Sequence, residues 1–248
     1  MNNFLKQILA PAQLKEQYLN ILLNREDLYL QALTSASFDA KNNYEIFELI
    51  GDSTANKFLT WYFFRRFPQL NCPQGVKVLA RLKINYASKK TFSKIADKLG
   101  FWPFIRASAQ QKEGERNSLL EDSFEAFIGL TEMLLDEHFK IGVGFAVVND
   151  ILTSVFDKMP ISLEYEDLYD AKTRLKELFD INNQLGTLIY EAEPNKTTIY
   201  RNGEKKIKIG EGFAVTKANQ QQAAAAEALK LLKTQGYTRK IEHKLLCE

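Results

Sequence analysis

The chain has 248 residues, 45% of them hydrophobic, and a formal net charge of +2. That is enough for a real core in one large domain or two modest ones, and no apolar run approaches the roughly 18 to 20 residues of a membrane span. The two histidines, His138 and His243, and the two cysteines, Cys72 and Cys247, are each isolated in sequence. They leave little material for His-rich metal centres, Ser-His triads, Cys-His nucleophiles, thiolate metal sites or a disulfide framework.

Apolar residues recurring every three to four positions predict helices over 3–24, 43–66, 74–87, 88–98, 117–136 and 140–157. Pro68, Pro73, Gly75, Gly100 and Pro103 fall at or near the breaks between them. The opening stretch carries one early lysine and neither a long apolar run nor a small-residue cleavage site, so it reads as an amphipathic helix rather than a secretion signal. An intracellular protein, cytoplasmic or nuclear, is expected, with the isolated cysteines suiting a reducing compartment. The segment DKMPISLEYED, containing Pro160, is the linker candidate.

Beyond the linker the pattern changes. AKTRLKELFDINN predicts a helix, GTLIYEAE and TTIYRNGEKKIKIGEG predict strands, and QQQAAAAEALKLLKTQG predicts a closing helix. Asn202-Gly203 between two β-type runs predicts a two-residue type I′ hairpin. The tail therefore reads α-β-β-β-α. Residues 171–240 hold 13 Lys/Arg against 7 Asp/Glu, a local net of +6, while the remainder holds 20 against 24, a net of −4. The split suggests a catalytic or metal-binding body followed by a smaller module that favours a polyanion.

Two acidic sets carry the chemistry. Glu45, Glu48 and Asp52 stand in YEIFELIGD, and Asp122 and Glu125 in LLEDSFEAFIG. Offsets of three, four and seven residues put each set on one helical face. Helices this rich in Ile, Leu and Phe are buried on the other side, so the acids lie at a core edge, where crowded carboxylates are costly without a cation. A hard divalent metal is the natural neutraliser. A single set of this kind usually marks a solvated face. Two sets, each beside a glycine (Gly51 and Gly129), favour a retained metal site.

These residues carry a family resemblance. YEIFELIGDSTANKFLTWYFFRRFP resembles the signature helix of the ribonuclease III family, and LLEDSFEAFIG is similar to that family's second acidic element. ARLKINYASKKTFSKIADKLGF is similar to its connecting helices, while DAKTRLKEL and AAAAEALKLL resemble the first and last helices of a double-stranded-RNA-binding domain. The resemblance covers most of the chain. It implies a mainly α protein: an all-helical ribonuclease III-type catalytic domain over 1–157, a linker over 158–168, and a small α-β-β-β-α double-stranded-RNA-binding-like domain over 169–240.

The resemblance further implies a Mg²⁺-dependent endonuclease acting on double-stranded RNA as a homodimer. Each active site would cut one strand and leave short 3′ overhangs. Glu45, Glu48, Asp52, Asp122 and Glu125 match the catalytic carboxylates. Glu48, Asp122 and Glu125 would be direct metal ligands, with Asp52 in the same metal-binding set and Glu45 a supporting acid. Two Mg²⁺ per site are expected, with Mn²⁺ able to substitute; the chemistry needs neither histidine nor cysteine. Lys172, Lys176, Glu177, Lys196 and Lys217 are the expected RNA-binding residues of the tail. Phe47, Leu49 and Phe58 are candidates for the dimer interface or for core packing, and Arg116 is a candidate phosphate contact.

The chain also departs from the family. LTSASF puts Ser35 where many members carry an imidazole, and VTKANQQQA offers Lys217 alone where a lysine cluster is usual. Glutamines hydrogen-bond phosphate without releasing counterions, so affinity and its salt dependence should be low. The alternative reading is a non-catalytic dimer serving as RNA-binding or protein scaffold, although a scaffold has no reason to keep a costly like-charge pocket. A di-metal redox bundle is weaker still, because neither histidine has a glutamate three residues before it.

Overall fold

The computed structural model describes residues 1–239, so His243, Cys247 and residue 240 of the expected tail domain lie outside the described residues. The chain divides into two compact units, one over Met1–Ile161 and one from Ser162 onward.

The first unit holds α1 (Asn2–Leu9), α2 (Glu16–Leu23), α3 (Glu26–Gln31), α4 (Glu45–Arg66), α5 (Val76–Tyr86), α6 (Lys89–Lys98), α7 (Ala109–Gly114), α8 (Arg116–His138) and α9 (Val143–Phe156). The single helix expected over 3–24 is broken in two. Pro11 sits in a tight turn over Ala10–Ala12, and Gln13 follows at φ 50°, a left-handed backbone no helix continues through. The six-residue helices α3 and α7 are too short to show a periodicity and were not expected.

The centre of this unit is α8, buried on every side from Ser123 to Thr131. A helix apolar all round belongs in a core. Around it Phe101 packs against Phe124 and Phe127 with ring centroids 5.8 and 5.6 Å apart, and the buried Tyr29 hydroxyl shares a 2.8 Å hydrogen bond with Thr131.

Helix α4 lies along α8 in the same direction. Tyr44 meets Asp122, Gly51 meets Glu125 and Gly129, and Thr54 donates to the Glu132 carboxylate. The two backbones touch: a Cβ added at Gly51 would sit 1.8 Å from the Glu125 carbonyl oxygen, and one at Gly129 would sit 2.0 Å from that of Phe47. Only glycine fits at either place. Of the candidate interface residues, Phe47 and Phe58 are core, 4% and 0% exposed, whereas Leu49 is 66% exposed beside Ile46 at 55%.

The second unit holds α10 (Tyr165–Leu168), α11 (Ala171–Ile181), β1 (Thr187–Glu193), β2 (Lys196–Asn202), β3 (Lys206–Phe213) and α12 (Lys217–Thr234). Part of the expected linker is thus the short helix α10. The strands form one antiparallel sheet in the order β1-β2-β3. Its core joins Leu175, Leu178 and Phe179 of α11 to Ile199, Ile209 and the alanines of α12. Those alanines are functional in packing: Gly210 and Gly212 of β3 lie so near α12 that a Cβ would meet the Ala224 and Gln220 carbonyl oxygens at 2.3 and 2.2 Å.

The expected Asn202-Gly203 turn is corrected. Asn202 pairs with Lys206, which leaves three residues in that loop, and Gly203 does not have positive φ. The two-residue hairpin is instead Pro194-Asn195, closed by the Glu193–Lys196 pair. Proline fixes the first turn position and Asn195, at φ 60°, takes the left-handed second one. Among the described residues no helix is long and apolar enough to cross a membrane.

Candidate active site

The site is built where α4 and α8 touch. Glu45, Glu48 and Asp52 share a face of α4's first two turns, and Asp122 and Glu125 share a face of α8. The glycine contact between Gly51 and Gly129 brings those faces together, and Tyr44 at the start of α4 donates its hydroxyl to Asp122 Oδ2 at 3.0 Å. Asp52 accepts from Asn56 Nδ2 at 2.9 Å. Glu45 and Asp52 are exposed, Glu48 and Asp122 half-buried, and Glu125 only 7% exposed.

Burial and mutual repulsion both act on these acids. Burial, followed by the charges of Asp122, Glu45, Glu121 and Asp52, pushes the Glu48 carboxyl up to about 7. Burial, followed by Asp52, Glu121, Glu48 and Asp122, pushes Glu125 up to about 8. Asp122 is also raised by burial, partly offset by the Tyr44 hydrogen bond and the Lys89 charge. The Tyr44 phenol itself is raised, first by burial and then by Asp122. The positive N-terminal end of α4 favours Glu45 and Glu48, a smaller effect than the crowding.

The structure therefore draws all five expected acids into one electrostatic neighbourhood. It adds three residues the sequence reading missed. Glu121 acts on Glu48 and Glu125; it lies four residues before Glu125, so helical spacing already carried the signal. Lys89 pairs with Glu121 at 3.2 Å, and Tyr44 bonds Asp122; both contacts arise from tertiary packing and leave no mark in the local pattern.

An oxygen-only donor set of crowded carboxylates suits a hard cation such as Mg²⁺ or Mn²⁺ chemically. Among the described residues no group of three His, Cys, Asp or Glu side chains stands close enough to hold a metal as positioned. Glu48, Asp122 and Glu125 would have to turn inward together on binding one.

The Arg116 guanidinium pairs with Asp97 at 2.6 Å and lies 4.1 Å from the Trp102 ring centroid, an exposed arrangement in which, among the described residues, no contact to the site's acids is seen. In the second unit, Lys172 donates to Gln221 Oε1 at 2.6 Å, and Gln222 Nε2 donates to Asp170 at 2.8 Å. Gln220 is 4% exposed and bonded to Ala214 O and Thr197. The glutamine run thus ties α12 to α11 and the sheet. Glu177 is engaged by Arg239 at 3.1 Å and by the Tyr165 hydroxyl, and Lys196 pairs with Glu193 and Glu211 at 3.2 and 3.4 Å. Lys176 and Lys217 are exposed and form no ion pair with the described residues.

Comparison with known proteins places the chain in a family. The Ribonuclease III domain family matches residues 45–133, which include α4 and both acidic sets. A protein of Frog virus 3 (isolate Goorha) whose name includes ribonuclease 3 is 42% identical over 96% of this chain and 64% of its own length. This chain thus spans less than two thirds of that relative. A protein of Invertebrate iridescent virus 6, also with ribonuclease 3 in its name, is 39% identical over 88% of this chain and 82% of its own length. Ribonuclease 3 of Clostridium botulinum (strain Alaska E43 / Type E3) is 33% identical over 88% of this chain and 94% of its own. The chain belongs to the ribonuclease III family of endoribonucleases.

Proposed function

We propose that this protein is a divalent-metal-dependent endonuclease that hydrolyses phosphodiester bonds of double-stranded RNA. It would act as a homodimer in which each active site cuts one strand, leaving short 3′ overhangs. The observation that carries the reading is the backbone contact of α4 with α8, which sets Glu48, Asp52, Asp122 and Glu125 against one another with far more negative than positive charge nearby. Family membership supports it.

Glu48, Asp122 and Glu125 are the residues that would hold the metal, two Mg²⁺ per site, with Asp52 beside them. Bound there, the metal supplies water activation and neutralisation of charge on the phosphate oxygens. The chain's own contribution is to hold the acids: Tyr44 fixes one oxygen of Asp122 and leaves the other for the site, Asn56 steadies Asp52, and burial of Glu125 keeps bulk water from one side. The exposed pair Ile46 and Leu49, on the signature helix, is a surface suited to pairing with a second copy. Lys172, Lys176 and Lys217 would add a modest, salt-sensitive hold on the duplex, with Lys196 and Glu177 contributing only if released from their internal pairs.

Incubation with long duplex RNA and Mg²⁺ tests the proposal. Short duplexes with 3′ overhangs, together with uncut duplex DNA and single-stranded RNA, are expected. A duplex RNA left at full length would overturn it.

A further inference from the structure

Lys89 opens α6 and reaches across to α8, where its Nζ lies 3.2 Å from Glu121 Oε2 and 3.1 Å from Ser118 Oγ. Glu121 is the carboxylate next to Asp122 and one helical turn from Glu125. Among the described residues this is the single ion pair made to any acid of the pocket formed by Glu45, Glu48, Asp52, Glu121, Asp122 and Glu125. The Lys89 side chain is 54% exposed whereas that of Glu121 is 15% exposed. The ammonium therefore stands at the wall of the pocket with one side anchored and the other open to solvent.

We propose that Lys89 is a catalytic residue that contacts phosphate: its ammonium binds a non-bridging oxygen of the RNA phosphodiester as that group enters the pocket. The proposal rests on the nuclease reading given above and deepens it. An RNA phosphate arriving here meets six carboxylates, and even with metal bound the approach on the α6 side is governed by the nearest fixed cation. Lysine suits the task because it is a compact charge on a flexible four-carbon stem.

An ammonium has three donors: Glu121 and Ser118 take two, and the third, on the solvent side, is left for a phosphate oxygen, so binding does not strip the 15% exposed Glu121 of its partner. Ser118, bonded to the same nitrogen, is a second anchor for the side chain on α8.

The competing role for Lys89 is purely to neutralise Glu121. The two roles separate in a double-variant experiment on the full chain. Single-turnover cleavage of long duplex RNA in Mg²⁺ is measured for the wild type, Lys89→Met, Lys89→Arg and the combined Lys89→Met, Glu121→Gln protein. Mg²⁺ binding without RNA is measured by calorimetry on the same proteins.

Lys89→Met is expected to cut roughly 100-fold more slowly at saturating RNA, the scale of losing one charge-stabilising donor. Lys89→Arg should recover part of the rate, the combined variant should stay slow, and Mg²⁺ affinity in Lys89→Met should be undiminished. A combined variant restored to the wild-type rate would overturn the proposal, because Lys89 would then serve Glu121 alone; so would Lys89→Met cutting at the wild-type rate. If Lys89→Met does not fold, the combined variant, which leaves no unpaired charge, decides between the same outcomes. A wild-type protein that leaves duplex RNA intact would overturn the nuclease reading, an outcome separate from either of these.

Discussion

Tyr44 shows how a single contact conditions the site. It is 3% exposed and spends its hydroxyl on Asp122 Oδ2, and a carboxylate held at one oxygen presents the other in a fixed direction. Tyr44→Phe keeps the ring and its packing but removes that constraint. Half-saturation of cleavage by Mg²⁺ should then need about 10-fold more metal, the usual scale for an outer hydrogen bond to a ligand. A metal titration of the activity measures it, and unchanged half-saturation would show that Asp122 is oriented by packing alone. At this scale the sequence was informative about acids on one helix and silent about partners across helices. Glu121 could have been found from its four-residue offset to Glu125, but Lys89 and Tyr44 are separated from their partners by 32 and 78 positions, a distance no local periodicity spans.

Between elements, the decisive feature is the glycine contact of α4 with α8. The carbonyl oxygens of Phe47 and Glu125 occupy the space in which a side chain at Gly129 or Gly51 would have to sit. Gly129→Ala should destabilise the first unit by about 3 kcal/mol or more, since backbone must shift rather than a flexible side chain. The acids should separate as a result. Denaturant unfolding measures the loss, and a variant as stable as the wild type would mean that the helices are held apart by other packing. The long helices were legible because α4, α6 and α9 each carry an uninterrupted apolar pattern. The break after α1 was not, because Pro11 is compatible with a first helical turn and only the left-handed Gln13 ends the run. The hairpin was misplaced for a related reason: Asn-Gly is the stronger dipeptide signal, yet pairing of Glu193 with Lys196 puts the tight turn at Pro194-Asn195.

On the scale of the whole molecule, two units with separate cores follow one another in sequence, and each carries a net charge of +1: 19 Lys/Arg against 18 Asp/Glu over 1–161, and 14 against 13 over 162–248. The change from helical to strand periodicity follows this division; the charge split does not, because the acidic stretch Glu164–Asp170 belongs to the second unit and offsets the basic excess of 171–240. What composition did not reveal is how the second unit uses its polar residues. Gln220, Gln221 and Gln222 read as weak phosphate contacts in the sequence but fasten α12 to its neighbours in the fold. The helix that was expected to offer polar side chains to a phosphate backbone thus commits three of them to its own fold, leaving Lys217 exposed at its start. The carboxylates of α4 and α8 are proposed to form one metal-dependent centre that cuts RNA. Its most direct test compares the wild type with Glu125→Gln on long duplex RNA in Mg²⁺, with wild type in Ca²⁺ alongside. Cleavage by the wild type in Mg²⁺, with binding but no cleavage in the other two cases, is the expected result; equal cleavage by wild type and Glu125→Gln would contradict it.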